Sequence, residues 1–145
     1  MKPHKIPHSE FISIYSRVPR LCLEVIIKTK EGIVLSKRLI PPYIGYWHTP
    51  GGTLLYGEKI QDAIKRIAKE ETGMDVKVVK FLGILEYPIF KSLNHTISLG
   101  FLVKPTSGEL RGSDQGKDIQ YFKKLPTKTV RPQVEFLRKY RLINN

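Results

Sequence analysis

GTLLYGEKIQDAIKRIAKEETG, residues 52–73, is the stretch of sequence that decides the fold. Its second half predicts an α-helix from about Lys59 to Thr72, because apolar residues recur at positions 60, 64 and 67. Gly73 stands where a helix ends in the left-handed conformation that glycine adopts without strain. The stretch therefore predicts a glycine loop, a helix that faces a core and a sharp stop.

Glu71 places a charge on the apolar side of this helix. At about 100° per residue, position 71 falls on the stripe that carries positions 60, 64 and 67. A buried carboxylate without a partner is costly, so Glu71 is expected to contact a basic side chain or a divalent cation. A side chain in the last helical turn can also reach water, and from this residue alone the alternative stays open.

The glycine loop before the helix favours the cation. Pro50-Gly51-Gly52 lets the backbone pass close to a phosphate or a metal ion where a Cβ atom would collide, although a simple turn has the same composition. Glu70 adjoins Glu71, and oxygen ligands of this kind suit Mg²⁺ or Mn²⁺, which neutralise phosphate charge. The loop and the two carboxylates together predict a divalent-cation site.

The spacing of these residues resembles the Nudix box: glycine, five residues, Glu, seven residues, then Arg-Glu-aliphatic-any-Glu-Glu-any-Gly. The chain has the expected residue at Gly52, Glu58, Arg66, Glu70, Glu71 and Gly73. Ile67 stands where the first Glu of the last run is expected, so a cluster of two or three cations is hard to assemble and a single-metal site is expected. The resemblance implies structural roles for Gly52, Glu58, Arg66 and Gly73.

A closer resemblance is to the GDP-mannose mannosyl hydrolase branch, which also has an aliphatic residue at position 67. The matching residues extend beyond the box to Phe11, Pro19, Leu23-Glu24, Leu35 to Arg38, Gly45-Tyr46-Trp47, Pro50 to Gly52, Gly83, His95, Leu99 to Phe101 and Asp114-Gln115. That branch releases the sugar by attack of water at the anomeric carbon, with one Mg²⁺ on the diphosphate leaving group. Carried over, Glu71, Gln115 and a backbone oxygen near Gly51 would hold the metal beside Glu70, and Arg38 would stabilise the departing diphosphate.

The same resemblance marks candidate residues for the substrate. Tyr46 and Trp47 lie in the matching loop, and Thr53 stands where the branch has a second arginine, so these residues are expected beside the substrate with Arg38. Glu24 corresponds to a shorter acidic residue of the branch. Because it alternates with apolar residues along a strand, it is expected to be half buried.

The sequence leaves the general base open. After Gln115 the branch carries a histidine that activates water, and here the position is Gly116, which cannot take a proton. The remaining candidates are Asp114, Asp118, Glu86 and His95, among which geometry decides before pKa does. The catalytic candidates are then Arg38, Glu24 and Asp118.

The rest of the chain predicts an α/β (α+β) fold. Strands are expected at 21–28, 32–37, 76–87, 95–104 and 119–122, with a loop across 41–52 and a last helix at about 131–142. This order suggests a mixed β-sheet between helices, and the Nudix resemblance implies the same sandwich. We expect one domain over 1–145, with an N-terminal arm at 1–18 and the box loop and helix at 51–73.

The composition restricts the partners and the compartment. Lys and Arg number 25 against 13 acidic residues, and the net charge of +12 attracts anions such as nucleotides or nucleic acids. The basic residues are spread along the chain, so a solvated basic surface is favoured over a nucleic-acid site. The only cysteine is Cys22, and no apolar run reaches the roughly 18 residues of a membrane span. The chain is expected to be soluble and cytoplasmic, and a homodimer stays open.

These observations predict a Mg²⁺-dependent Nudix hydrolase of a nucleoside diphosphate-linked substrate. The favoured substrate is a GDP-mannose-like nucleotide sugar that is split into sugar and nucleoside diphosphate. An ordinary Nudix pyrophosphohydrolase, which would release sugar phosphate and nucleoside monophosphate, is the first alternative. A non-catalytic Nudix module that binds nucleotide or RNA is the second, and the retention of both Glu70 and Glu71 argues against it.

Overall fold

The computed structural model describes residues 2–89, 95–113 and 118–144. The helices in these ranges are α1 (His8–Tyr15), α2 (Ile60–Thr72) and α3 (Arg131–Lys139). The strands are β1 (Arg20–Thr29), β2 (Gly32–Lys37), β3 (Trp47–His48), β4 (Gly51–Thr53), β5 (Met74–Glu86), β6 (Thr96–Gly108) and β7 (Ile119–Phe122). Within these ranges, no helix has both the length and the apolar composition to cross a membrane.

β1 is the central strand of a mixed sheet. It pairs in parallel with β6 along Arg20 to Ile27, and β6 pairs with β5 in antiparallel. On its other side β1 pairs with β4 near its start and with β2 near its end, both antiparallel. β2 continues the sheet to β3 and β7. The predicted mixed sheet is confirmed, and it brings the box loop against the first half of β1.

The two faces of β1 pack against different helices. Leu23, Val25 and Ile27 lie in one core cluster with Ile64 and Ile67 of α2. Ile26 lies in the other cluster, which contains Phe136 and Leu137 of α3. Because successive side chains of a strand point to opposite faces, α2 and α3 cover opposite sides of the sheet. The predicted sandwich of a sheet between helices is therefore confirmed.

The box helix ends as the sequence predicts. Gly73 has φ of 76°, and its N–H donates to the carbonyl of Lys69 over 3.0 Å. A Cβ atom at Gly73 would lie only 2.6 Å from the Arg111 side chain, so space as well as conformation requires glycine there. At the other end, Lys59 contributes no side-chain cap, which leaves the first-turn amides without that acceptor.

Three short elements differ from the sequence prediction. Helix α1 lies in the segment predicted as an N-terminal arm, to which no helix was assigned, and it has no buried residue, so no apolar stripe indicated it. β3 and β4 lie in the segment predicted as a loop. They form because the backbones of neighbouring strands supply partners, a cause that sequence periodicity does not report.

Two details of the predicted helices were wrong. Ile60 was assigned to the core stripe of α2 and is 37% exposed, as the first residue of the helix. The last helix was predicted to extend to 142 and ends at Lys139. Leu142 is buried nevertheless, since the chain folds back after the helix and its N–H donates to the carbonyl of Leu137.

Ile67 and Ile60 offer a matched test of this packing on one helix. Ile67 is 1% exposed, and Ile67→Ala is expected to lower the free energy of unfolding by about 2–5 kcal/mol because a cavity remains. Ile60→Ala is expected to cost about 1 kcal/mol or less. Urea denaturation of both variants measures the difference. Equal losses would contradict the placement of Ile67 in the core.

Candidate active site

A bidentate ion pair between Arg66 and Glu58 fixes the loop at 53–58 to helix α2. Arg66 donates from Nε to Oε2 of Glu58 over 2.8 Å and from Nη2 to Oε1 over 3.0 Å. Arg66 Nη2 also donates to the carbonyl of Thr53, and Glu58 Oε1 accepts the N–H of Leu55. The hydrogen bond from Arg66 is the main reason that the pKa of Glu58 lies below its usual value. Loop residues 53–58 are thereby held against α2.

Ile67 supports the glycine loop from below. A Cβ atom on Gly52 would lie 3.3 Å from Cγ1 of Ile67, so the loop backbone rests directly on this side chain. The position where the box pattern has a carboxylate is thus filled by core packing. Within residues 2–89, 95–113 and 118–144, no group of three or more His, Cys, Asp or Glu side chains is arranged to hold a metal ion.

Glu71 and Glu70 differ in their surroundings. Glu71 is half buried at the end of α2, where burial raises the pKa of its carboxyl and the neighbouring Glu70 adds to that shift. Its Oε2 accepts a hydrogen bond from Oγ of Ser113 over 3.0 Å, and it forms no ion pair with any described residue. Glu70 is more exposed and pairs with Lys5 over 3.1 Å and with Arg66 over 3.3 Å. Among the described residues, Glu71 therefore feels the charges of Lys5 and Arg38 but forms no ion pair, whereas Glu70 forms two.

Arg38 is within electrostatic reach of two different carboxylates. Burial lowers the pKa of its guanidinium, and the charges of Glu24 and Glu71 oppose that shift. Its Nε donates to the carbonyl of Pro42 over 2.6 Å and its Nη2 to the carbonyl of Pro41 over 3.3 Å. The guanidinium is thus anchored to the loop after β2, with three of its five N–H groups not used by these two bonds.

Glu24 is more buried than the sequence predicted. It is 6% exposed instead of half buried, because a polar network replaces water around it. Tyr87 donates its hydroxyl to Oε1 over 2.5 Å, and Thr49 donates to Oε2 over 2.8 Å. Gln133 Nε2 lies 2.9 Å from the Tyr87 hydroxyl and 3.4 Å from Oε2 of Glu24. Burial raises the pKa of Glu24 despite these donors, so its carboxylate is a stronger base than an exposed one.

Gly51 brings the box loop into contact with this buried carboxylate. It is the register partner of Glu24 in the pairing of β1 with β4. A Cβ atom on Gly51 would lie 2.8 Å from the carbonyl oxygen of Leu23 and 2.9 Å from Oε2 of Glu24. Glycine is therefore required for the loop to approach β1 this closely. The contact places Glu24 beside the glycine loop.

The three candidate substrate residues besides Arg38 occupy different environments. Tyr46 is exposed, and its carbonyl accepts the N–H of Arg38 over 2.8 Å. Trp47 packs its ring edge-on against Phe122 with centroids 4.8 Å apart, so it serves the core of the α3 side. Thr53 accepts a hydrogen bond from Nη1 of Arg20 over 3.1 Å. The guanidinium of Arg20, on β1, therefore lies beside Thr53, which itself carries no charge.

The candidates for the general base are not brought together. Asp118 is exposed; its carbonyl accepts the N–H of Lys37, and its carboxylate takes part in no ion pair among the described residues. Glu86 is exposed at the end of β5, whereas its neighbours Leu85 and Tyr87 belong to the core cluster on the α3 side. His95 is half buried beside Arg20, to which its carbonyl is bonded. Asp114, Gln115 and Gly116 lie outside the described residues.

Sequence reasoning missed the partners of Glu24. Thr49, Tyr87 and Gln133 come from three separate segments of the chain. One signal was present: Gln133 is a polar residue on the same helical face as the buried residues Phe136 and Leu137. The resulting network joins β1, the residue after β5, the segment between β3 and β4, and α3.

Comparison with known proteins assigns the family. The NUDIX domain matches residues 19–140. The chain is 35% identical to an ADP-ribose pyrophosphatase from Methanocaldococcus jannaschii over 104 residues, 72% of this chain and 62% of that protein. It is 30% identical to the low-salt glycan biosynthesis protein Agl8 from Haloferax volcanii over 137 residues, 90% of this chain and 87% of that protein. Among solved structures, a MutT NUDIX hydrolase from Burkholderia pseudomallei superposes with a TM-score of 0.77 at 25% identity, covering 84% of this chain and 98% of that chain.

The chain belongs to the NUDIX domain family. Nudix hydrolases generally require divalent cations. Glu71 fits such an ion in this structure, because it is a hard oxygen donor, half buried and without a cationic partner among the described residues. Glu70 fits less well, since Lys5 and Arg66 already compensate its charge.

The pH dependence of the unfolding free energy tests the ion pair between Arg66 and Glu58. Because Arg66 holds this pKa below its usual value near 4.5, the ion pair stabilises the fold fully above that pH, and the contribution is lost as the pH falls through the lowered pKa. The loss of unfolding free energy in Glu58→Gln should be largest at about pH 7 and shrink at about pH 3. Glu135→Gln, in an exposed pair with Arg131, is the control and should change little at either pH. A Glu58→Gln effect that is independent of pH would contradict the ion pair.

Proposed function

We propose that this chain is a divalent-cation-dependent Nudix hydrolase of a nucleotide sugar of the GDP-mannose type, which it splits into sugar and nucleoside diphosphate. The observation that carries the proposal is that Arg38, held by hydrogen bonds to Pro41 and Pro42, has its pKa affected by the charges of both Glu71 and the buried Glu24. A guanidinium and a cation-binding carboxylate suit a diphosphate, whereas a buried carboxylate in a hydroxyl network suits a sugar. The names of the two relatives, an ADP-ribose pyrophosphatase and a glycan biosynthesis protein, point to sugar-linked substrates as well.

Glu71 is the proposed principal protein ligand of Mg²⁺ or Mn²⁺. Glu70, Gln115 and the backbone oxygen of Gly51 remain further candidates. The ion, when bound, neutralises the diphosphate and orients the leaving group. With Ile67 packed beneath the loop, one metal ion is the number that these ligands support.

Arg38 is proposed to bind the diphosphate oxygens. Its hydrogen bonds to Pro41 and Pro42 fix the guanidinium plane before substrate arrives, and the remaining N–H groups can donate to phosphate. As the bond to the sugar breaks, negative charge grows on the leaving oxygen. A fixed guanidinium stabilises that charge without reorganisation.

Glu24 is proposed to act as the general base. Among the described carboxylates, Glu24 is the one whose charge acts most strongly on Arg38, ahead of Glu71, and its raised pKa makes it a stronger base than an ordinary carboxylate. Water would add its hydroxyl to the anomeric carbon while its proton passes to Glu24. The bond between that carbon and the phosphate oxygen breaks, and the nucleoside diphosphate leaves with the oxygen. Tyr87, whose own pKa is raised well above 10 by burial, stays protonated and holds the carboxylate in place.

Cleavage of the diphosphate bond itself is the second candidate. The identity of 35% to an ADP-ribose pyrophosphatase favours it, although the chain spans only 62% of that protein. The products would then be a sugar phosphate and a nucleoside monophosphate. The position of bond cleavage separates the two reactions.

Glu71→Gln tests the cation site. The substitution is expected to lower kcat for a nucleotide sugar by at least about 100-fold and to weaken Mn²⁺ binding, because it removes the charged ligand. Glu70→Gln should have a smaller effect, since Glu70 is already paired. Turnover of a nucleotide-sugar panel and calorimetric Mn²⁺ titration give the two readouts, with Glu135→Gln as the control. Unchanged Mn²⁺ affinity in Glu71→Gln would contradict the ligand assignment.

Hydrolysis in ¹⁸O-labelled water tests the bond that breaks. We expect the label in the released sugar and not in the nucleotide, and a kcat about 10²–10⁴-fold lower in Glu24→Gln because the base is lost. Mass spectrometry of both products locates the label. Label in a phosphate would replace the proposal by the pyrophosphohydrolase reaction, and no turnover of any substrate with Mg²⁺ would exclude both.

A further inference from the structure

A second basic site lies at the other end of β1 from the glycine loop. A cleft of about 250 Å³ opens between the β1–β2 hairpin, the end of β7 and the segment after α3. The cations that line it are Lys28, Lys30, Lys123 and Arg141. Lys28 is four residues beyond Glu24 in β1, which is about 13 Å along a strand. The cleft is therefore separate from the site around Arg38 and Glu71.

The charge of this cleft is not compensated within the described part of the protein. All four cationic side chains are exposed, and none of them takes part in an ion pair among the described residues. Glu31 is in the hairpin turn but does not line the cleft. Positive charges gathered around one concave surface repel one another, and a bound anion relieves that repulsion.

Arg141 contributes its guanidinium to the cleft from an unusual backbone conformation. It has φ of 55°, the left-handed conformation that normally falls to glycine or asparagine just after a helix. Its N–H donates to the carbonyl of Arg138, and the next N–H, of Leu142, donates to Leu137. The left-handed conformation alone is enough to end the helix, and glycine would adopt it without strain. An arginine at this position adds a guanidinium to the cleft at a conformational cost.

We propose that the cleft binds the phosphate backbone of single-stranded nucleic acid. Its walls combine cations with the partly buried ring of Phe122 and the buried side chains of Leu142 and Ile143, a lining that suits a nucleotide unit more than a bare ion. The cleft is open to solvent, so a strand can pass through it, whereas a rigid duplex cannot enter a concave site of this size. The net charge of +12 supports the attraction at longer range. Contacts to phosphate imply little dependence on base sequence.

Fluorescence anisotropy of a short labelled oligouridylate tests the proposal on the full chain. With four phosphate contacts, affinity should fall roughly 50-fold between about 50 and 200 mM salt. Arg141→Gly should weaken binding by about three- to tenfold at low salt and reduce the salt slope by roughly 0.7. Because glycine relieves the left-handed conformation, this variant should unfold at the same or higher urea concentration, so weaker binding would not come from unfolding.

A pair of double variants separates the cleft from the general charge of the protein. Lys28→Gln with Lys123→Gln should weaken binding at least tenfold more than Lys65→Gln with Lys80→Gln, which removes the same charge from exposed sites on α2 and β5. Equal weakening by the two pairs would overturn the proposal in favour of a diffuse field. So would an equal loss in Arg38→Gln, which would place the oligonucleotide on the hydrolase site, or complete displacement by inorganic phosphate at matched ionic strength.

Discussion

The ion pair between Arg66 and Glu58 is the constraint on which the site depends. It joins a helix to the loop that precedes it, and the same guanidinium holds the carbonyl of Thr53. With the loop fixed, β4 pairs with the start of β1, and Gly51 lies against Glu24. Arg66 therefore helps to set the position of the loop beside Glu24. The pairing of β4 with β1 links this loop to the buried Glu24 on the other face of the sheet.

The residues of the candidate site lie on both faces of β1. On the α2 face, Ile67 fills the position of an expected carboxylate and contacts the loop, while Glu71 at the helix end forms no ion pair with a described residue. On the α3 face, Glu24 is desolvated within a network of hydroxyl and amide donors. The charges of Glu71 and Glu24 both raise the pKa of Arg38, against the effect of burial. An isoleucine thus stands where the box pattern has a carboxylate on one face of the sheet, and a buried carboxylate lies on the opposite face.

Local patterns predicted the parts of the fold that local physics determines. The apolar period gave the extent of α2, and the conformational freedom of glycine gave its end at Gly73. The turn between β1 and β2 and the strand near 119–122 followed from similar signals. Helix α1 buries no residue, and β3 and β4 are too short to show a period. The partners of Glu24 are 25, 63 and 109 residues away in sequence, so only the tertiary fold brings them together.

A double-mutant cycle on the Arg66–Glu58 ion pair is the most direct test of whether this interaction organises the site. The free energy of unfolding is measured for the wild type, Arg66→Gln, Glu58→Gln and the double variant, which separates the Arg66–Glu58 pair from the other contacts of Arg66. A two-pronged, largely buried pair predicts a coupling energy above about 1.5 kcal/mol. A coupling below about 0.5 kcal/mol, as in solvent-exposed pairs, would contradict the claim that this interaction organises the site.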